Sequence, residues 1–412
     1  MDGEYVERDL EQTLWEYMDA PEILAVVGPR QAGKTTLLEK INQDLENSRF
    51  VTFEDRDVLR VFEEDEKEFA ELYLEDTDYL IIDEFQYAEE GGKKLKYLYD
   101  EYPDRKLLIT GSSAADMTIQ GLKHLTGRVL TFRLSPFSFR EFLRYRDENL
   151  FQLFRKREEE LRDWINGGEE PSITDTTMEK IEELRKEYAV YGGYPRVVLA
   201  DTDDEKETVL DNIVETYLVR EIGDVLGIED DRRMEDLMRI LALQMGEKTN
   251  YSAVSDRAEI TYNRLKEWLS VLEHTFVLEQ VRPFFTNKQK EIVKSPKIYF
   301  HDSGFRNSLL NNFQDLEMRK DQGELNENFF FTQAGAELKY WRTKSGAEMD
   351  FVIDRNPPVP FEVKTSARTT KSFRSFQEKY GPEKAFLMNE TELGRENRTY
   401  RVPLAFAERT VE

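Results

Sequence analysis

The chain of 412 residues contains no cysteine. That excludes a disulfide framework, a thiolate metal site and a catalytic thiol. It has 3 histidines, His124, His274 and His301, too scattered along the sequence for a histidine-built zinc centre. No apolar run approaches the roughly 20 residues that a membrane-spanning helix needs. The opening Met1-Asp2-Gly3-Glu4 lacks the basic and apolar regions of a secretory signal, so a cytoplasmic protein is expected. Basic residues are outnumbered: 58 Lys and Arg face 84 Asp and Glu, for a net charge of −26. Such a surface repels nucleic acid on average and confines any DNA contact to local basic patches. What the chain does have is 39% hydrophobic and 12% aromatic residues, enough for packed cores and too much for wholesale disorder. Its length leans towards two to four domains.

The first stretch alternates strands and helices. Ile23 to Val27 is a short apolar run ending at Gly28 and predicts a buried parallel strand. A helix is expected from about Thr35, with Leu37, Leu38 and Ile41 on one face. Further strands are predicted at Arg49–Phe53, Tyr79–Ile82, Lys106–Thr110 and Val129–Leu134. Strands separated by helical stretches imply a parallel sheet with helices on both faces. From about Ser138 to Ile222 the pattern is helical and charged, broken at Asn166-Gly167-Gly168 and Gly192-Gly193. Three short amphipathic helices are expected between about 232 and 281, with Ser252 and Thr261 as N-caps of the second and third. Strands return after Pro296, the best at Tyr340–Arg342, Glu348–Asp354, Val359–Lys364 and Lys384–Met388.

Gly28-Pro29-Arg30-Gln31-Ala32-Gly33-Lys34-Thr35 fits G-x-x-x-x-G-K-[ST] between a predicted strand and a predicted helix. Glycines let the backbone wrap phosphates, while amide N–H groups and the helix N-terminus supply positive potential. Lys34 can reach the β- and γ-phosphates, the Thr35 hydroxyl can ligate Mg²⁺, and Thr36 completes the loop. The apolar strand Leu80-Ile81-Ile82 then delivers Asp83, expected to hold Mg²⁺, and Glu84, expected to polarise the attacking water as general base. Thr110-Gly111-Ser112-Ser113 ends the next strand. Ser112 or Ser113 could sense the γ-phosphate or orient water, or simply cap the following helix. Arg128 is a candidate for neutralising transition-state charge, in cis or from a neighbouring copy, with Arg220 second.

These elements, in the order Gly28–Thr36, Leu80–Glu84, Leu107–Ser113 and Gly127-Arg128, with Leu134-Ser-Pro-Phe-Ser-Phe-Arg-Glu-Phe142 after them, resemble the AAA+ type P-loop ATPases of archaea and bacteria. The resemblance is greatest to the branch carrying a C-terminal domain of unknown function with a restriction-endonuclease-like core, and it covers nearly the whole chain. It implies an α/β multidomain fold. The parts are a P-loop parallel-sheet ATPase core (1–137), a helical lid or linker (138–228), a winged-helix-like region (229–285) and a restriction-endonuclease-like α/β domain (286–412). It implies ATP with Mg²⁺ as cofactors. There is no Asn-Lys-x-Asp base-reading motif of the GTPase kind.

Further along, Gly346 to Asp354 is followed by Asn356-Pro357-Pro358 and by Pro360-Phe361-Glu362-Val363-Lys364. The punctuation predicts a hairpin. Glu362 and Lys364 lie two apart on one strand and share a face, and the simplest register places Asp350 opposite them. This resembles the D…E-x-K core of restriction-type nucleases, with Glu327 on the preceding helix matching a further acid. There, two carboxylates bind Mg²⁺ beside the scissile phosphate. Between Glu362 and Glu378 there is no acid, and Lys364, Arg368, Lys371 and Arg374 make that stretch a candidate phosphate-backbone contact. The third middle helix, opening Thr261-Tyr-Asn-Arg-Leu-Lys266, resembles part of a winged helix-turn-helix. Asn263, Arg264 and Lys266 are candidate DNA contacts, and Arg282, Lys288, Lys290, Lys294 and Lys297 form a basic strip where a wing would lie. The expectation is an ATP-hydrolysing switch or motor, acting on DNA through its C-terminal half or assembling with copies of itself. An ATP-gated nuclease and a non-catalytic assembly scaffold are the alternatives.

Overall fold

A computed structural model describes residues 5–111, 125–216, 231–285, 291 and 294–411. The chain divides into two compact units, residues 1–137 with 270–277, and residues 138–269 with 278–412.

In the first unit, β1 (Ile23–Val27), β2 (Ser48–Thr52), β3 (Tyr79–Asp83), β4 (Lys106–Gly111) and β5 (Val129–Arg133) form one sheet in the order β2-β3-β4-β1-β5. All four pairings are parallel. The reason is visible in β1, whose five residues are apolar and all buried. A strand buried on both faces has no polar alternation and must be covered on both sides. Ile23, Ala25 and Val27 join Leu80, Ile82, Phe53, Phe62, Phe69 and Phe85 in one apolar layer. Leu24 and Val26 join Ile81, Leu37, Leu38 and Ile41 in the other. The helices Arg56–Glu64 and Glu66–Tyr73 deliver Phe62 and Phe69, and each starts at an aspartate, Asp55 or Asp65, whose carboxylate accepts first-turn amides. At roughly 1.5–3 kcal/mol for each large apolar side chain buried, these two layers dominate the stability of the unit.

The second unit begins at Ser138, whose hydroxyl accepts from Glu141 N–H at 3.1 Å while the Glu141 carboxylate accepts from Ser138 N–H at 2.9 Å. Helices Phe139–Arg146, Glu148–Ile165, Asp175–Tyr191 and Asp203–Thr216 follow. Breaks fall at Gly167 (φ 105°) and just past Tyr191. Three helices come next, Asp231–Leu243, Tyr251–Arg257 and Tyr262–His274. Thr261 accepts from Arg264 N–H at 3.3 Å. Ser252, expected as a cap, lies inside its helix. Asn250, two residues earlier, takes that place and accepts from Ala253 N–H. An antiparallel pair, β6 (Leu278–Val281) and β7 (Lys297–Phe300), follows these helices.

The remaining strands, β8 (Lys339–Arg342), β9 (Glu348–Ile353), β10 (Val359–Val363), β11 (Ala385–Asn389), β12 (Gly394–Glu396) and β13 (Thr399–Pro403), form a mixed sheet ordered β12-β13-β11-β10-β9-β8. The helix Gln322–Gln333 packs Phe330 against Phe351 and Phe361 at ring separations of 5.2 and 5.1 Å. The helix Lys371–Tyr380 buries Phe373 and Phe376 with Trp341 and Met349.

One close approach fixes the end of β1. Leu134 N–H donates to the Val27 carbonyl at 2.8 Å, and a Cβ at Gly28 would sit 2.0 Å from the Leu134 carbonyl oxygen. Because that neighbour is backbone, Gly28→Ala forces the exit of β5 to move and should destabilise the protein by about 1–3 kcal/mol, the usual cost of overpacking. Denaturant titration against wild type measures this, and unchanged stability would show that the two segments part without cost.

Candidate functional site

The parallel register brings the carboxyl ends of β1, β3 and β4 to one edge. Beyond Val27 the chain turns through Pro29, Gln31 (φ 60°) and Gly33 (φ 93°) into the helix Lys34–Asp44. Gly33 is in the left-handed region that glycine adopts at little cost. No acid stands in the first turn of that 11-residue helix, so its exposed amide dipoles are not answered by a carboxylate of their own turn. Lys34 is 4% exposed. Its ammonium lies back across the loop and donates to the Gly28 and Pro29 carbonyls, each at 2.9 Å.

Asp83, at the end of β3 and also 4% exposed, meets the loop directly. Thr35 donates its hydroxyl to Asp83 Oδ2 at 3.0 Å. Thr110 of β4, fully buried, donates to Asp83 Oδ1 at 2.5 Å and accepts from Glu84 N–H at 2.9 Å. Glu84 has φ 53°, a strained conformation for a non-glycine residue that costs of order 1–3 kcal/mol. It directly follows the last residue of β3, and its carboxylate accepts from the Gln86 amide. Thr110 is a residue that motif reading passed over in favour of the serines after it. The available signal was its place at the end of the strand beside the acid-bearing one. A hydroxyl and a carboxylate side by side suit Mg²⁺, which keeps several waters and takes few protein ligands.

Ser112, Ser113 and Arg220 lie outside the described residues. Arg128 is not brought to the phosphate loop. It precedes Val129 at the amino end of β5, and its carbonyl accepts from Ile23 N–H at 2.8 Å. With parallel strands rising about 3.3 Å per residue, some 16 Å of sheet separate it from the loop of its own chain. Its guanidinium pairs with Asp100 at 3.0 Å.

In the second unit the hairpin of β9 and β10 pairs Phe361 with Phe351, and one step on Glu362 stands opposite Asp350. Asp350 Oδ2 accepts from Val363 N–H at 2.8 Å and from the Lys364 ammonium at 3.0 Å. Glu327 accepts from the Tyr299 hydroxyl at 2.7 Å. Glu362 accepts from Thr370 at 2.6 Å through one oxygen, and its buried Oε2 has no hydrogen-bond partner. Lys297 pairs with Glu348 at 2.7 Å and lies 3.8 Å from Glu327. It is 3% exposed, so it belongs to this buried cluster and not to a basic surface strip. Lys288 and Lys290 fall outside the described residues, while Arg282 and Lys294 are exposed. Lys297 reads in sequence only as part of the basic strip, and Tyr299 carries no motif signal; β7, paired with β6, brings both to Glu327 on the helix Gln322–Gln333.

Burial, and then the Asp350 charge, push the Glu327 carboxyl up to about 7 against the pull of Lys297. Burial also raises Glu362. For Lys364 burial works downward, but Asp350, Glu327 and Glu362 together outweigh it and the net shift is upward. Among the described residues no three or more His, Asp or Glu side chains are grouped so as to hold a metal ion. Two ammonium groups balance the carboxylates instead. Asn263, Arg264 and Lys266 are all exposed near the start of the helix Tyr262–His274, and Lys371 is exposed at the start of its own helix.

Because the folded state holds the Glu327 proton more tightly than the unfolded chain, this carboxyl supports folding fully below about pH 4.5, and that support is lost as pH rises through about 7. Glu327→Gln should therefore gain stability relative to wild type on going from pH 5 to pH 8. Paired denaturation curves at the two pH values test this. An unchanged difference would mean that the carboxyl ionises as it does in water.

Residues 20–143 match the model of an AAA domain. Residues 182–316 and 322–406 each match a domain of unknown function, DUF8612 and DUF4143. An uncharacterised protein of Haemophilus influenzae is 25% identical over 313 residues, 72% of this chain and 71% of the relative. One of Methanocaldococcus jannaschii is 25% identical over 355 residues, 80% of this chain and 72% of the relative. Among solved structures, the Walker-type ATPase PABY2304 of Pyrococcus abyssi is 15% identical with a TM-score of 0.46, covering 74% of this chain and 96% of that one. No helix among the described residues is long and apolar enough to cross a membrane. The AAA-domain match, on the segment that holds the loop and its partner acid, makes the N-terminal part of this chain a P-loop ATPase-type domain.

Proposed function

We propose that the chain is an ATP-hydrolysing switch that works with Mg²⁺ in the cytoplasm. The observation that carries this reading is the convergence of Lys34, Thr35, Asp83 and Glu84 at one sheet edge, with Thr110 joining the last two. The loop backbone from Gly28 to Thr36, through the N–H groups of its non-proline residues, and the Lys34 ammonium bind the triphosphate. Lys34 moves from the Gly28 and Pro29 carbonyls to the more highly charged phosphate oxygens. The Thr35 hydroxyl and Asp83 hold Mg²⁺, which neutralises charge on the phosphate oxygens when bound. Glu84 takes the proton of the attacking water, and Thr110 fixes the backbone that presents it. Arg128, too far to serve its own loop, acts in trans if copies of the chain assemble with the β5 amino edge of one beside the loop of the next.

The exposed Asn263, Arg264 and Lys266 at a helix start, and Lys371 in a stretch without acids, support DNA as the partner of the C-terminal half. The helical (138–228), winged-helix-like (229–285) and restriction-endonuclease-like (286–412) segments are proposed on the same footing. A nuclease reading draws on the unpartnered buried Oε2 of Glu362, a residue whose place on β10 is in register with Asp350 on β9. Against it stands the lack of a metal-holding group of acids among the described residues. Incubating DNA with Mn²⁺, wild type against Asp350→Ala, decides it: cleavage that needs Asp350 establishes the nuclease, and none with any nucleotide removes it.

For the ATPase reading, Lys34→Ala should weaken ATP binding by about two orders of magnitude, the scale of a lost charge-assisted contact. Glu84→Gln should bind ATP normally and hydrolyse it about 10²–10⁴ times more slowly. Calorimetry and phosphate release measure the two. Wild-type turnover in Glu84→Gln would remove the base assignment, and wild-type binding in Lys34→Ala would remove the site.

A further inference from the structure

Arg8 is in the wrong place by local rules. It is the residue immediately before the helix Asp9–Glu16, and its carbonyl already accepts from Glu11 N–H at 3.0 Å. Helix starts favour Ser, Thr, Asp or Asn, whose side-chain oxygens accept first-turn amides. Arginine offers only donors, and its charge opposes the positive end of the helix dipole. No side-chain cap is made here. A local rule broken without local return points to a use elsewhere.

That use is visible. Arg8 is 4% exposed, unusual for a guanidinium unless its donors are met. One terminal nitrogen donates to the Ala32 carbonyl of the phosphate loop at 2.8 Å. The other donates to the Ser135 carbonyl at 2.6 Å. The guanidinium carbon lies 4.7 Å from the centre of the Phe137 ring. Ala32 immediately precedes Gly33 and Lys34, so the carbonyl that Arg8 holds belongs to the peptide whose N–H is that of Gly33. Holding it sets the direction of the amides that follow. Ser135 and Phe137 lie in the segment just after β5, whose Leu134 carbonyl presses on Gly28 at the other end of the loop. The loop is thus pinned at its start by a backbone contact and near its end by Arg8, and the same segment supplies both anchors.

We propose that Arg8 is a positioning residue for nucleotide binding: it pre-orients the Ala32–Lys34 part of the phosphate loop and ties it to the Ser135–Phe137 segment, the last stretch of the first unit before Ser138. Lysine is a poor replacement, because its single nitrogen cannot place two separate donors on the Ala32 and Ser135 carbonyls while its charge sits over the ring. The inference rests on the ATP-binding reading of the loop. Since Arg8 touches the loop backbone and not the phosphates, its loss acts on ground and transition states alike, raising KM with little change in kcat.

The test compares full-length wild type, Arg8→Gln, Arg8→Lys and Lys34→Ala by calorimetric titration with ATP and steady-state hydrolysis, each variant first checked by thermal melting. Arg8→Gln should bind ATP about tenfold or more weakly, as expected for lost charge-assisted contacts, with kcat near wild type. Millimolar guanidinium ion should restore part of the affinity to this variant and none to Lys34→Ala. Arg8→Lys should be impaired as well, and its amides at 28–34 should exchange hydrogen faster while those of β3 keep their protection. Wild-type KM in Arg8→Gln or, should that variant not fold, in Arg8→Lys, alongside a non-binding Lys34→Ala, overturns the assignment of Arg8 alone. Exchange that rises uniformly through the sheet also overturns it, because that is the mark of a purely structural role. Wild-type ATP binding by Lys34→Ala takes down the loop reading itself.

Discussion

Asp83 is a carboxylate taken almost completely out of water at the end of a strand whose other residues are apolar. A buried charge of that kind persists only if donors are held against it. Here they come from two different segments, Thr35 at the start of a helix and Thr110 on the neighbouring strand. Both reach it because β1, β3 and β4 run parallel in register, and they run parallel because their residues must be buried on both faces. The same hydrophobic demand that builds the sheet therefore stacks three carboxyl-terminal strand ends along one edge. Remove the parallel register and Lys34, Asp83 and Glu84 have no reason to be neighbours.

The two units handle buried charge differently. In the first, the ammonium of Lys34 rests on two backbone carbonyls, acceptors without net charge that a phosphate can displace. In the second, Asp350, Glu327 and Glu348 lie within reach of Lys364 and Lys297, and the positive charges come from side chains on β7 and just past β10. Such pairs are costly to desolvate and more costly to break singly, so that cluster resists rearrangement. A carbonyl gives up a lysine to a phosphate more readily than a carboxylate does.

The strands of the first unit could be read to within a residue or two, because short apolar or β-branched stretches alternate there with helical ones and leave few alternatives. The loop from Gly28 to Thr35 was legible because its chemistry needs those residues at that spacing. The hairpin of β9 and β10 was legible from Asn-Pro-Pro and from period-two alternation. The partners were not. Thr110 looks like any strand threonine until the register places it beside Asp83. Lys297 reads as one more surface lysine until β7 pairs with β6 and turns it inward. Arg8 precedes the motif by 20 residues, and only tertiary structure returns it to the loop. The Ser252 cap went wrong by a shift of two residues, since Asn250 competes for the same role and won it. β12 and β13, three and five residues long, lie in a charged stretch where pattern is weakest.

Glu84 sits with a backbone twist that glycine or asparagine would adopt more comfortably. If Glu84 is the base proposed above, heat resistance and turnover pull this one position in opposite directions. A population of variants screened only for survival at high temperature would drift away from glutamate here, ending with hardier molecules that hold their nucleotide and leave it intact.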